Sequence, residues 1–447
     1  MHRPLDEYAT PAVGPTNSLR PATDSRPHSA TAVSTGFAGL LAAVLAFAAF
    51  AQTGLPIHMK ALGIVGATAA AMLALELFVH QTRKAQTAAG LADSALRPLD
   101  LARTMRKLTG LAVTIGVVAA VYWVLAEYRR DLYAPFFAAV AFSAPAFLIL
   151  TPLYVAFVDR RQRDPEDAYA DIGAFLIAGR MPHDLVRIRQ HALGWAVKAF
   201  FLPLMFVYLC SSIENVGKVL HEGDLTGLLA WHGFLVDGLF GIDVLFACVG
   251  YSLTLRLFGT QIRGVEPTVI GWVVCLVCYQ PFNGMTNAYI TYDAGGWKWD
   301  AVFAGWPPLQ IAWAGAILLC VLIYAWSTVA FGPRFSNLTN RGIITVGPYR
   351  WVKHPAYLSK NISWWLISMP FLLGGGLENA VRYSAMLLLF NGVYVLRAIT
   401  EERHLSCDPD YVAYKAYIAG NGLWARLRRV FAPPDVRSPA PPPRSWS

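Results

Sequence analysis

"RGIITVGPYRWVKHPAYLSKN", residues 341–361, separates two long apolar stretches of the chain. Within 21 residues it carries Arg341, Arg350, Lys353 and Lys360, one histidine, two prolines and the rings of Tyr349, Trp351 and Tyr357. Gly347-Pro348 turns the chain. Pro355 suits the first turn of a helix and biases His354 away from helical backbone. A helix is therefore expected from about Ala356 through "YLSKNISWWLISMPFLL", with His354 at its mouth. The unpaired backbone N–H groups of such an end suit a small anion such as a carboxylate. The rings suit a flat group or a cation. An interfacial belt of aromatic and basic residues, common where helices meet headgroups, has the same composition.

The rest of the chain says what surrounds this loop. Of 447 residues, 55% are hydrophobic and only 15% charged, against about a quarter charged in soluble domains. Mean hydropathy is +0.42. Apolar runs near the bilayer-spanning length of about 20 residues recur. These features imply an all-α, polytopic membrane protein. The net charge of +9 clusters in loops, which points to topology and lipid headgroups before nucleic acid. "CLVC" (Cys275 to Cys278) lies in an apolar run without a second ligand pair, so no metal site is expected.

About ten spans are expected, near 36–56, 60–80, 109–127, 132–158, 192–214, 227–255, 267–287, 308–331, 357–375 and 378–398. Every second loop is basic. Residues 81–108 and 159–191 carry six Lys/Arg each, residues 332–356 carry four, and the C-terminal segment adds Arg403, Lys415, Arg426, Arg428 and Arg429. The positive-inside rule then places both termini in the cytoplasm, with Arg129-Arg130 the one basic pair on the outer side. Residues 1–35 and 431–447 read as disordered tails rich in Pro, Ser, Thr and Ala or in Pro, and residue 36 starts too late for a signal peptide. Residues 36–300 form a membrane region of unknown role. They contain Glu76, Lys198, Glu214, His232, Asp237 and Asp243 in or near spans. Asp237 and Asp243 project about 120° apart on one helix and cannot form a tight carboxylate pair. Helix-packing hydrogen bonds or a substrate path are the two readings.

A second constellation, "RAITEERHL", follows the last apolar run. Arg397 and Glu401 are i,i+4 and can pair, and Glu402 lies about 100° round the helix. "DPDYVAYKAY" then places Tyr411, Tyr414 and Tyr417 at helical spacing.

In order, "GPYRWVKHPAY", one helical hairpin and "RAITEERHL" resemble the isoprenylcysteine carboxyl methyltransferase family, within the wider group of membrane methyltransferases that includes phospholipid N-methyltransferases. The resemblance spans about residues 305–420, and a domain of 301–430 is expected from it. It implies S-adenosylmethionine as methyl donor, bound at the cytoplasmic face without a Rossmann domain. It implies that Tyr349, Lys353, His354, Pro355 and Tyr357 line the cosubstrate pocket, that Glu401 and Glu402 complete it, and that Arg397 lies where cosubstrate and lipid meet, with Arg397 and Glu401 as catalytic residues. Two positions depart from the pattern. Lys353 replaces an arginine, losing a bidentate fork, and Ser359 stands where many members have glycine.

The function expected is methyl transfer to a lipidic or isoprenoid-linked acceptor, with carboxylate O-methylation favoured, in the inner membrane of a bacterium. An amine acceptor would need a base such as Glu401 or Glu402. A nicotinamide-dependent sterol-type reductase and a transporter or lipid-binding protein built on the first seven spans are the other classes.

Overall fold

The computed structural model describes residues 26–79, 90–92, 96–182, 184–223, 225–293, 298–372 and 376–431. Of the expected tails, 1–35 and 431–447, residues 1–25 and 432–447 lie outside them. The helices are α1 (Val33–Ala51), α2 (Ile57–Phe78), α3 (Leu101–Val124), α4 (Ala134–Arg161), α5 (Ala168–Ala178), α6 (Leu185–Glu222), α7 (Gly227–Ser252), α8 (Val269–Leu276), α9 (Phe282–Tyr289), α10 (Trp299–Val302), α11 (Pro307–Phe331), α12 (Pro355–Ser368), α13 (Leu377–Leu405), α14 (Pro409–Asn421) and α15 (Leu423–Phe431). Two short strands, β1 (Gly264–Val265) and β2 (Thr339–Asn340), pair antiparallel, Gly264 with Asn340 and Val265 with Thr339. The protein is an all-α polytopic bundle.

Among the described residues, eight helices are long and apolar enough to cross a membrane: α1, α2, α3, α4, α6, α7, α11 and α13. The other two expected spans take shorter forms. The 267–287 stretch breaks into α8 and α9, of eight residues each, ahead of Pro281, which cannot supply a helical N–H. The expected 357–375 span is the 14-residue α12, about 21 Å against a hydrocarbon core of about 30 Å. It stops at Met369, whose φ of 41° is left-handed and which precedes Pro370.

Side-chain contacts fix how these helices run. Asp243 on α7 accepts hydrogen bonds from Tyr324 (2.6 Å) and Thr328 on α11. At the C-terminal ends of both helices, Arg341 donates from one nitrogen to the carbonyls of Gly250 (2.7 Å) in the last turn of α7 and Phe335 (3.0 Å) just beyond α11. The two helices therefore run parallel, and the chain between them returns across the bundle through α8 and α9. At Gly250 the backbones come so close that a Cβ would meet the Phe335 carbonyl. Of the two readings for Asp243, helix-packing hydrogen bonds is the one seen, while Asp237 is exposed.

The charged helix ends gather at one end of the bundle. Arg103 at the start of α3 grips Asp159 at the end of α4 (2.8 Å), and Lys107 reaches Asp159 (2.8 Å) and Asp167 (3.2 Å). Gln190 near the start of α6 holds the Val265 N–H (2.8 Å), and β1 pairs with β2 beyond α11. Glu76 at the end of α2 forms a buried ion pair with Arg334 (3.5 Å). Residues 27–31 are stitched to the quoted loop and to Arg334 ahead of it: Ala30 N–H donates to the Ile343 carbonyl (2.8 Å), Thr345 Oγ1 to the Pro27 carbonyl (2.8 Å), and Arg334 to Thr31 Oγ1 (2.8 Å). The segment 26–35, expected within the N-terminal tail, thus anchors the loop before α12. The main apolar core lies among α1, α2, α6 and α7, where the Phe201 ring stacks on Tyr251 at 5.3 Å.

Candidate active site

Gly347 adopts φ +60°, strained for any residue with a side chain, and sits close against Ala330 and Trp326, so the loop turns tightly under α11. His354 caps α12 in non-helical backbone, and buried Pro355 opens the helix. The His354 ring therefore stacks on Tyr357 one turn later, at 5.4 Å and an interplanar angle of 3°. From the other side, α13 brings its last turns. Glu402 Oε1 lies 3.2 Å from His354 Nε2 and also takes Lys353, while Glu402 Oε2 meets Lys415 of α14 at 3.2 Å. Glu401 Oε2 accepts the Tyr357 hydroxyl (2.8 Å) and lies 3.8 Å from His354 Nδ1.

The two motifs, more than 40 residues apart, thus close on each other. The α14 helix braces them. Tyr414 donates its hydroxyl to the Tyr349 carbonyl (2.7 Å), and burial raises the pKa of that hydroxyl above its ordinary value, keeping it a donor.

Arg397 is buried, 6% exposed, and its arrangement differs from the expected pairing with Glu401. Its Nη2 donates to Asn337 Oδ1 (3.0 Å), and its guanidinium lies 5.0, 5.3 and 5.8 Å from the ring centres of Tyr357, Tyr394 and Tyr279. Among the described residues it has no ion pair. Tyr357 has already engaged Glu401, and the tyrosine faces hold the cation instead. Deeper along α12, Lys360 is held the same way over Tyr324 (5.1 Å) and Trp364 (5.6 Å).

Two adjoining cavities result. The inner one is walled by Tyr279, Tyr324, Phe335, Asn337, Tyr349, His354, Tyr357, Lys360, Tyr394, Arg397 and Glu401. The outer one shares Asn337, Tyr357, Arg397 and Glu401 with it and adds Glu266, Cys275, Thr400 and His404. Glu266 is 2% exposed. One of its oxygens takes the Thr268 N–H (3.0 Å), and the other, Oε2, has no partner among the described residues.

Of the residues singled out in the sequence, Tyr349, His354, Tyr357, Arg397 and Glu401 wall the inner cavity. Lys353 and Glu402 stand behind it and tie the loop to α13, and Pro355 shapes the helix start. Ser359 is buried, with its hydroxyl on the Ala356 carbonyl (3.3 Å), and walls neither cavity.

Sequence reasoning did not place Glu266, Cys275, Tyr279, Asn337, Lys360 or Tyr394 in the site. The usable signal was polarity inside apolar runs: Tyr324 and Thr328 are i,i+4 on α11 and face Asp243. Cys275 walls the outer cavity, while Cys278 points its thiol at the Val274 carbonyl (3.6 Å). Among the described residues no group of three or more His, Cys, Asp or Glu side chains is arranged to hold a metal ion.

Residues 309–407 match the model of the isoprenylcysteine carboxyl methyltransferase (ICMT) family. No curated protein and no solved structure matches the chain. The ICMT-like stretch begins in α11 and ends just past α13, and it contains every site residue expected from the sequence. It covers less than a quarter of the chain and leaves Asp243, Glu266 and Tyr279 outside. The match supports a membrane methyltransferase.

Proposed function

We propose that the protein transfers a methyl group from S-adenosylmethionine to the carboxylate of a lipidic or isoprenoid-linked acceptor. One observation carries this reading. Tyr349, His354 and Tyr357 of the loop motif and Arg397 and Glu401 of the second motif wall one cavity, and that cavity lies almost wholly within the ICMT-like stretch.

The residues present fit the cosubstrate. Tyrosine faces suit a sulfonium and an adenine ring. Glu401 offers a carboxylate to hydroxyls or to the positive sulfur, and Arg397 offers donors to an anion. When bound, S-adenosylmethionine supplies an electrophilic methyl on a sulfonium that departs as a neutral thioether.

The chain's own contribution is placement. Arg397, paired with no acid among the described residues, orients an acceptor carboxylate. Tyr357 and His354 fix Glu401, and Lys353 and Lys415 fix Glu402, so the pocket is set before ligands arrive. A carboxylate acceptor is already the nucleophile and needs no base. An acid-free arginine in the wall favours it over an ammonium acceptor, which Arg397 would repel.

On this reading residues 301–430 carry the catalytic unit, with α8 and the chain from Glu266 to Tyr279 supplying one wall. The positive-inside rule puts that end of the bundle in the cytoplasm, and the acceptor enters between helices from the bilayer. The test is transfer of labelled methyl from S-adenosylmethionine to prenylcysteine-type carboxylates and to amine lipids, with protein in nanodiscs. A product whose label is released by alkali as methanol supports an ester. An alkali-stable product on the amine lipid would replace this reading with N-methylation.

A further inference from the structure

The last described helix, α15, has no buried residue. Its sequence, LWARLRRVF, places Leu423, Trp424, Leu427, Val430 and Phe431 at i, i+1, i+4, i+7 and i+8, one stripe of a helix. Trp424 is 62% exposed and Phe431 81%. Arg426, Arg428 and Arg429 occupy the remaining face, and no acidic residue falls within the helix. Its location gives this pattern meaning. The helix follows α13 and α14, and the Leu423 N–H donates to the Trp351 carbonyl (2.8 Å), so α15 begins against the loop at the charged end of the bundle. Gly422 allows that approach, since a Cβ there would meet the Trp351 carbonyl and Ile418.

We propose that α15 lies in the membrane interface and binds anionic phospholipid headgroups through Arg426, Arg428 and Arg429. An apolar stripe at the level where spans leave the bilayer sinks into the acyl boundary, and the arginines on the opposite face meet headgroup phosphates. Two of the three are pre-positioned by the chain. Arg426 Nε donates to the Asn421 carbonyl (2.9 Å) and Arg429 to the Gly420 carbonyl, which leaves other guanidinium N–H groups for phosphate oxygens. Because α15 is hydrogen-bonded to Trp351 and α14 to Tyr349, lipid that holds α15 also steadies residues 347–352 beside the cavity. This coupling, unlike the lipid binding itself, rests on the methyltransferase reading.

The experiment is amide hydrogen exchange of the full chain in nanodiscs of phosphatidylcholine, with and without phosphatidylglycerol. Exchange of residues 423–431 is expected to slow by about tenfold or more with the anionic lipid. High salt and the combined Arg426→Gln, Arg428→Gln, Arg429→Gln variant should abolish the difference, with exchange in the spans unchanged. Equal exchange in both lipids overturns the proposal. So does protection that disappears in both lipids when the chain ends at residue 431, which would make the Pro-rich tail the occupant of the stripe. S-adenosylmethionine is expected to bind about fivefold more tightly in anionic discs for the wild type and not for the triple variant. Lipid-dependent protection without cosubstrate binding in either disc would uphold the anchor and count against the methyltransferase.

Discussion

Arg397 and Glu401 stand one helical turn apart on α13 and engage different partners: Arg397 takes Asn337 and three tyrosine faces, and Glu401 takes the Tyr357 hydroxyl at 2.8 Å. A local ion pair would neutralise both groups. Their separation leaves a cation and a carboxylate exposed to the same cavity, each held by rings and hydroxyls from other elements.

That separation predicts the behaviour of Arg397 variants. Arg397→Lys keeps the charge but loses the planar fork that can hold a carboxylate through two bonds. Its kcat/KM for methyl transfer should fall by about a hundredfold, as when one oriented donor is removed from a site. Cosubstrate affinity should stay within about threefold of the wild type. Steady-state kinetics beside calorimetric binding checks both, and an equal loss in the two would move Arg397 from acceptor to cosubstrate.

Glu402 is expected to act through the loop. Glu402→Ala strands Lys353, His354 and Lys415, whose contacts are partly exposed. The loss should be about 1–2 kcal/mol, with faster amide exchange at residues 347–354. Unchanged exchange there would show that the loop stands without α13.

The Glu76–Arg334 pair joins the early helices to the loop, with side-chain exposures of 6% and 1%. Glu76→Ala leaves a buried guanidinium with only hydroxyl and carbonyl partners and should cost about 3–5 kcal/mol. Replacing both residues by Leu and Met should restore much of that. Denaturation of the two variants in detergent would show it. Equal losses in single and double variants would mean that packing volume, and not the stranded charge, sets the cost.

Asp243 bridges α7 to Tyr324 and Thr328 on α11. Asp243→Asn keeps an acceptor and should change stability by less than about 1 kcal/mol, whereas Asp243→Leu should cost about 1–3 kcal/mol. Proteoliposomes of either should show no change in ion flux. A flux present in the wild type and lost in Asp243→Asn would bring back the path reading.

What the sequence disclosed follows physical range. Pro355, Gly347 and the i,i+3 and i,i+4 geometry of the final helices act within a few residues, so the turn and the start of α12 were legible, whereas the approach of His354 and Tyr357 to Glu401, across more than 40 residues, was expected only from the family resemblance. The break between α8 and α9 was written in Pro281, but averaged hydropathy does not register one missing N–H. Arg397 and Glu401 have the spacing of an ion pair, and contacts from Tyr279, Asn337 and Tyr357, between 40 and 118 residues earlier, overrode it. Glu266 and Asn337 sit in short connections with no periodic pattern. The β1–β2 pairing, across some 75 residues, and the hydrogen bonds of Asn337 to Tyr251 and Tyr279 bring them to the cavity wall.

The central claim is a cosubstrate pocket made by His354, Tyr357 and Glu401. It is tested most directly by calorimetric titration of S-adenosylmethionine and its demethylated product into purified wild type, His354→Ala and Glu401→Ala. Saturable binding of both ligands to the wild type, lost in both variants with helix content intact, is the predicted result. Folded wild type that takes up neither ligand, or variants that bind as the wild type does, would contradict it.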